Sequence, residues 1–153
     1  MATILVVDDT ALAREAVALL LQHEGYRTIA AANGKEAWAV MYHDRPDLVL
    51  LDLMMPEMDG ITFLTMVRRS ALWHDLPVVV LTGADDRGHL ITRAWELGVS
   101  DLIPKATFGI KDLLERVERH LDAAASRAAD RPRRWPPAGA GRGIGLSTAG
   151  SIV

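Results

Sequence analysis

Three short apolar runs, residues 3–7, 48–51 and 76–82, constrain this chain more than anything else in it. None is long enough for a buried helix and none alternates as a half-exposed strand does, so each reads as a strand covered on both faces. Pro77 is acceptable at the entry of the last. Between the runs, apolar residues recur at helical spacing. Thr10 can cap a segment carrying Ala13, Ala16, Val17, Leu20 and Leu21, which Gly25 ends. Asn33-Gly34 makes a turn into residues 35–44, with Ala37, Val40 and Met41 on one face; residues 61–69 carry Phe63, Leu64 and Val67. Asp85-Asp86 opens a further helix closed by Gly98, and residues 108–121 carry the stripe Ile110, Leu113, Leu114, Val117 and Leu121. Residues 26–31 add a partly polar strand of edge character and residues 101–103 a brief fifth one. Five alternations of strand and helix predict an α/β parallel sheet with helices on both faces.

Composition narrows the chemistry. The 153 residues suit one domain with a real core, and 50% hydrophobic with 24% charged residues is ordinary for a globular protein. The absence of cysteine excludes a disulfide scaffold and a thiolate zinc site. The five histidines are scattered, and no apolar run is long enough to span a bilayer. With no leading segment that resembles a signal peptide, the default location is cytoplasmic. The net charge of −3 is uneven: five arginines and two aspartates fall from Asp122 onward, leaving residues 1–121 at −6 and the tail at +3.

The third strand ends on a carboxylate, Asp52, which is costly at the exit of a buried strand unless something compensates it. Open parallel sheets bind ligands beyond the carboxyl ends of their strands, where strand order reverses. For the order 2-1-3-4-5 that point lies between the first and third strands. Asp8 and Asp9 end the first strand there, Thr82 ends the fourth and Lys105 follows the fifth. Any one of them is an ordinary cap or loop residue; all five on one edge form a candidate site. Three close carboxylates repel unless one protonates or a cation binds, and oxygen-only donors point to a hard ion such as Mg²⁺. Asp9 and Asp52 fit as direct ligands, Asp8 through a water, and the Met54 carbonyl completes the shell. Asp52 is placed as a nucleophile toward phosphorus, with Lys105 and the Thr82 hydroxyl to neutralise the transferred group.

Val6-Val7-Asp8-Asp9, the segment 51–60 with Pro56, Asp59 and Gly60, Val80-Leu81-Thr82-Gly83 and the segment 98–105 together resemble the receiver domains of two-component response regulators over residues 3–121. The resemblance implies a flavodoxin-like doubly wound five-stranded sheet, and a signalling switch in which Asp52 accepts a phosphoryl group, Mg²⁺-dependently, from a sensor histidine kinase or phosphotransfer protein. It implies a phosphoacceptor and not an enzyme. It also implies output to a downstream protein through the fourth helix, fifth strand and fifth helix, where Trp95, Leu102 and Phe108 lie, with Trp95 read as a partly buried packing residue. Three positions depart from the family pattern. Leu102 stands where an aromatic is usual. Pro104 and Ala106 flank Lys105, where a proline usually follows the lysine, so the loop into the last helix is expected to be trans. Met54 and Ala84, two residues beyond Asp52 and Thr82, cannot orient an attacking water, which predicts slow self-dephosphorylation.

Residues 1–121 are therefore expected to form the receiver domain. Residues 122–153 are expected to be a basic, Pro/Gly/Ala/Arg-rich tail without a fold, although Ala123-Ala124-Ala125 can prolong the last helix by a turn. Three arginines beside Trp135 are a weak nucleic-acid signal, and no nucleic acid or membrane partner is expected. Trp73 is expected to cover the core from a loop. Two alternatives stand beside the switch: a receiver-like interaction module that works without phosphate, and an aspartyl-phosphate-type phosphatase, which the adjacent Asp8-Asp9 pair and the lack of a cap domain disfavour.

Overall fold

The computed structural model describes residues 1–55, 58–83, 88–105 and 109–129. Expectations for Pro56, Ala84, Asp85-Asp86, Ala106, Phe108 and residues 130–153 lie outside them. The elements alternate without exception: β1 (Thr3–Val7), α1 (Ala11–His23), β2 (Arg27–Ala31), α2 (Gly34–Met41), β3 (Leu48–Asp52), α3 (Gly60–Arg69), β4 (Val78–Thr82), α4 (Gly88–Glu96), β5 (Asp101–Pro104) and α5 (Ile110–Ala129). The strands form one sheet in the order β2-β1-β3-β4-β5, parallel as the apolar pattern predicts and doubly wound as the resemblance implies. β1, β3 and β4 are buried along their whole length, whereas β2 at one edge is half exposed. The register sets Val7 beside Leu51 and Asp52 beside Leu81, so these strands end at one level.

The sheet separates two apolar layers, because successive strand residues point to opposite faces. Leu5, Val7, Val49, Leu51, Val78 and Val80 face α2, α3 and α4 through Met41, Phe63, Leu64, Val67 and Ala94. Ile4, Val6, Leu48, Leu50, Val79, Leu81 and Ile103 face α1 and α5 through Val17, Leu21, Leu113 and Val117. Leu102 packs on the α4 side and its neighbours Asp101 and Ile103 on the α5 side. Trp73 is buried against the first layer, covering the core as expected.

Local chemistry fixes the helix ends. Gly25 (φ 96°) and Gly98 (φ 73°) adopt the left-handed conformation that stops α1 and α4. Asn33 and Asp59 accept from the Glu36 and Thr62 amides and cap α2 and α3. Thr10 is the N-cap of α1 by backbone conformation, but its side chain makes no capping bond. Arg68, held by burial below its ordinary guanidinium pKa, donates to the carbonyls of His74, Leu76, Leu97 and Gly98. It thereby fastens the C-terminal end of α4 to α3 and to the entry of β4.

Two features of α5 differ from the sequence pattern. It runs eight residues past Leu121, since the alanine-rich segment that follows favours helix and its Ala124 and Ala128 line a pocket beside Trp73 and Leu76. Ile110, the first residue of the expected stripe, is 55% exposed because it sits at the helix start, beyond the sheet's cover. Trp95 is also half exposed, on α4, more open than a packing residue.

Candidate functional site

The site is assembled from strand ends that the register brings level. β1 delivers Asp8 and Asp9, and β3 ends on Asp52. Asp8 and Asp52 are buried and Asp9 is exposed, so the cluster has two carboxylates in its floor and one at its mouth. One oxygen from each of the three carboxylates lies within 4.8 Å of the others. Thr82, 6% exposed, ends β4; its carbonyl accepts from the Lys105 amide at 2.7 Å. That bond brings Lys105 back over the sheet edge, where its ammonium stands 2.8 Å from Asp8 Oδ2 and 3.5 Å from Asp52 Oδ2.

Each carboxylate is held by backbone as well as by charge. Asp8 Oδ1 accepts from the Thr10 amide at 3.0 Å, so the turn into α1 orients the acid. Asp52 Oδ1 accepts from the Met54 amide at 3.2 Å. Gly60 closes the site from beneath: its amide donates to the Leu53 carbonyl, and a Cβ built there would stand 2.5 Å from the Asp52 carbonyl oxygen. No side chain fits between the start of α3 and the strand that carries Asp52. Gly34 is also tight, its Cβ position 2.8 Å from the Met58 carbonyl oxygen to which its amide is bonded, which ties the turn after β3 to α2.

The electrostatics follow from the count of charges. Burial is the chief force on Asp52, raising its pKa to about 7; Lys105 opposes it, while Asp8 and Asp9 add to it. Burial also works against the Lys105 charge, but the hydrogen bond it donates to Asp8 and the attraction of Asp52 outweigh it and raise its pKa. One ammonium among three carboxylates leaves the cluster short of positive charge. Three converging carboxylate oxygens with no nitrogen or sulfur donor fit a small hard cation such as Mg²⁺.

The structure thus brings together Asp8, Asp9, Asp52 and Lys105, with Thr82 at the adjoining strand end. Met54 takes part through its amide, and its side chain is 43% exposed. Sequence reasoning missed Arg14, whose guanidinium donates to the Asp8 carbonyl at 2.8 Å from the first turn of α1. The signal was weak: one arginine six residues after Asp8. It missed as well the Asp101 cluster at the start of β5, where Arg116 Nη1 lies at 3.0 Å and His120 Nε2 at 2.9 Å.

Residues 4–118 match the family described as response regulator receiver domain. The chain belongs to that family. It is 37% identical over 119 residues to the phosphate regulon transcriptional regulatory protein PhoB of Pseudomonas aeruginosa, covering 78% of this chain and 51% of PhoB. It is also 37% identical over 131 residues to response regulator MprA of Mycobacterium tuberculosis, covering 82% of this chain and 55% of MprA. The receiver thus spans about half the length of these curated relatives. Among solved structures, chemotaxis protein CheY4 of Vibrio cholerae superposes with a TM-score of 0.71 at 30% identity, over 78% of this chain and 98% of CheY4. The receiver has a CheY-like fold. Among the described residues, no helix is long and apolar enough to cross a membrane.

Proposed function

We propose that this receiver is a phosphorylation switch in which Asp52 is the phosphoacceptor, working in the cytoplasm as a signalling protein and not as a classical enzyme. The observation that carries this reading is the buried Asp52 carboxylate at the reversal of strand order, with Asp8 and Asp9 beside it and the Lys105 ammonium 3.5 Å away. A carboxylate oxygen of Asp52 attacks the phosphorus of a phosphohistidine on a kinase or phosphotransfer protein. The P–N bond breaks, its electron pair stays on the imidazole, and an acyl phosphate forms.

The chain's own residues prepare that step. Lys105 holds Asp8 and Asp52 close despite their repulsion and offers its charge to the phosphoryl oxygens. Thr82, at the end of the adjoining strand, supplies a hydroxyl on the side the new group occupies. Asp9 and Asp52 would hold Mg²⁺ directly, with Asp8 through a water and the Met54 carbonyl in support. That ion would supply positive charge to the transferring group and keep Asp52 ionised. Output would then run through α4, β5 and α5 to a downstream protein, with half-exposed Trp95 on that surface and Leu102 as the packing element between them.

Intact-mass measurement tests the reading. The protein is incubated with acetyl phosphate with and without Mg²⁺, beside Asp52→Ala. A phosphate adduct that needs Mg²⁺ and appears on the wild type alone is the expected result. Consumption of acetyl phosphate without an adduct would make the site a phosphatase, and neither adduct nor turnover would leave an interaction module.

A further inference from the structure

The first turn of α1 is built against the ordinary preferences of a helix start. Thr10 makes no side-chain capping bond, no acid stands in the turn, and a cation, Arg14, does. The partial positive charge of a helix N-terminus disfavours a cation there. Helix stability therefore does not account for Arg14, whereas its bond to the Asp8 carbonyl can. Asp8 lies one residue beyond the last ladder pairs of β1, in which Val7 stands beside Ala31 and Leu51. The Asp8 amide donates to the Ala31 carbonyl at 3.1 Å, Oδ1 accepts from the Thr10 amide and Oδ2 from Lys105. Past the ladder, the Asp8 carbonyl takes its donor from a side chain, Arg14 Nη1 at 2.8 Å in a partly buried setting. That carbonyl and the Asp9 amide belong to one rigid peptide plane, so holding the oxygen also sets how Asp9 leaves the strand end. Asp9 is exposed at the mouth of the site, where packing does little to place its carboxylate.

We propose that Arg14 is a positioning residue for the cation site. By holding the Asp8–Asp9 peptide, it keeps the Asp9 carboxylate converged with those of Asp8 and Asp52, where the three offer oxygens within 4.8 Å of one another. The inference rests on the reading of these carboxylates as the Mg²⁺ site of the switch. Arg14 acts through the peptide, one residue removed from the ligand it places. Geometry and charge predict opposite signs for its removal. A guanidinium felt only through its field would repel Mg²⁺, and its loss would tighten binding. A guanidinium that holds the peptide does the reverse, because its loss lets the Asp8–Asp9 plane turn and the Asp9 carboxylate drift from the other two.

Calorimetric titration of Mg²⁺ into the full-length protein tests this, with urea midpoints to show that each variant is folded. Methionine is a good helix former and removes the unfavourable charge, so Arg14→Met keeps α1. Arg14→Met is expected to weaken Mg²⁺ affinity about tenfold, the scale set by groups that orient a metal ligand. Arg14→Lys, which retains a charged donor on a long side chain, is expected to recover most of that loss. In an Asp9→Asn background Arg14→Met is expected to change the affinity no further, since the carboxylate it places is gone. Unchanged or tighter Mg²⁺ binding by folded Arg14→Met would overturn the proposal, as would an equal loss with and without the Asp9 carboxylate. Wild-type protein that binds Mg²⁺ yet forms no adduct with acetyl phosphate would overturn the phosphoacceptor reading alone, leaving the place of Arg14 behind the cation site to be decided by the same titrations.

Discussion

Asp52 and Asp101 are both little-exposed aspartates at strand ends, with side chains 7% and 15% exposed, and their surroundings treat them oppositely. Asp52 shares one ammonium with Asp8, with the Asp9 carboxylate also close, and burial prevails, lifting its pKa to about 7. Burial pushes Asp101 up as well, but the His120 hydrogen bond, the Leu102 amide and the Arg116 charge outweigh it and hold its pKa low. Arg119 adds a further guanidinium at 3.5 Å. The difference is the number of donors per carboxylate. An acid given several donors is structural and fixes β5 to α5. An acid left short of them keeps an unmet demand for positive charge, and that demand is what a cation and a phosphoryl group can answer.

Beneath Asp52 the fold tolerates no extra volume. Gly60→Ala places a Cβ against the Asp52 carbonyl and is expected to destabilise the fold by about 3 kcal/mol, read by urea denaturation. Loss of the structural acid comes next. Asp101→Ala takes from His120 its carboxylate partner and leaves Arg116 with Asp112 alone, and is expected to cost about 2 kcal/mol. Asp52 has the opposite sign: Asp52→Asn is expected to stabilise the metal-free protein by about 1 kcal/mol at pH 8. A destabilised Asp52→Asn protein would erase the distinction between the two aspartates.

The two aspartates also differ in how pH acts on them. Because the folded pKa of Asp52 lies above its unfolded value, the folded state binds the extra proton between about pH 4 and 7, and stability falls as pH rises through that window. The gain from Asp52→Asn should therefore shrink toward pH 4. Asp101 has a depressed folded pKa, so its contribution is present above the unfolded value of about 4 and is lost as pH falls below it. Thermal melts from pH 3 to 8 on Asp52→Asn and Asp101→Asn should show these two slopes with opposite signs. The smallest effect concerns lifetime. Neither Met54 nor Ala84 carries a group to orient water, so the phosphorylated form should persist for minutes or longer after removal of donor, followed by intact mass; loss within seconds without a phosphatase would refute it.

The buried runs and the helical spacing between them made the parallel sheet legible, because each strand carries its own apolar signature. The site was legible for a related reason: Asp8, Asp9, Asp52, Thr82 and Lys105 all stand at strand ends, so knowing the strand order placed them together. Asp101 and Arg14 were not legible. Their partners come from the faces of helices, and a helix face is set by rotation and docking that residue spacing alone constrains loosely. The Asp101 cluster depends on α5 presenting Arg116 and His120 across fifteen and nineteen residues. Ile110 was misjudged for the same reason: its spacing belongs to the stripe, but its height on the sheet leaves it uncovered.

What the sequence determined by itself was the order of elements, the two-sided burial of β1, β3 and β4, and the membership of the carboxylate site, since each follows from local apolar pattern and from where a strand must stop. What only the tertiary structure decided was how charge is apportioned: one ammonium in the cluster of Asp8, Asp9 and Asp52, and several donors for Asp101. That apportionment depends on distances of about 3 Å between residues far apart in the chain, and the strength of a charge pair is set by such distances and by the water excluded around it.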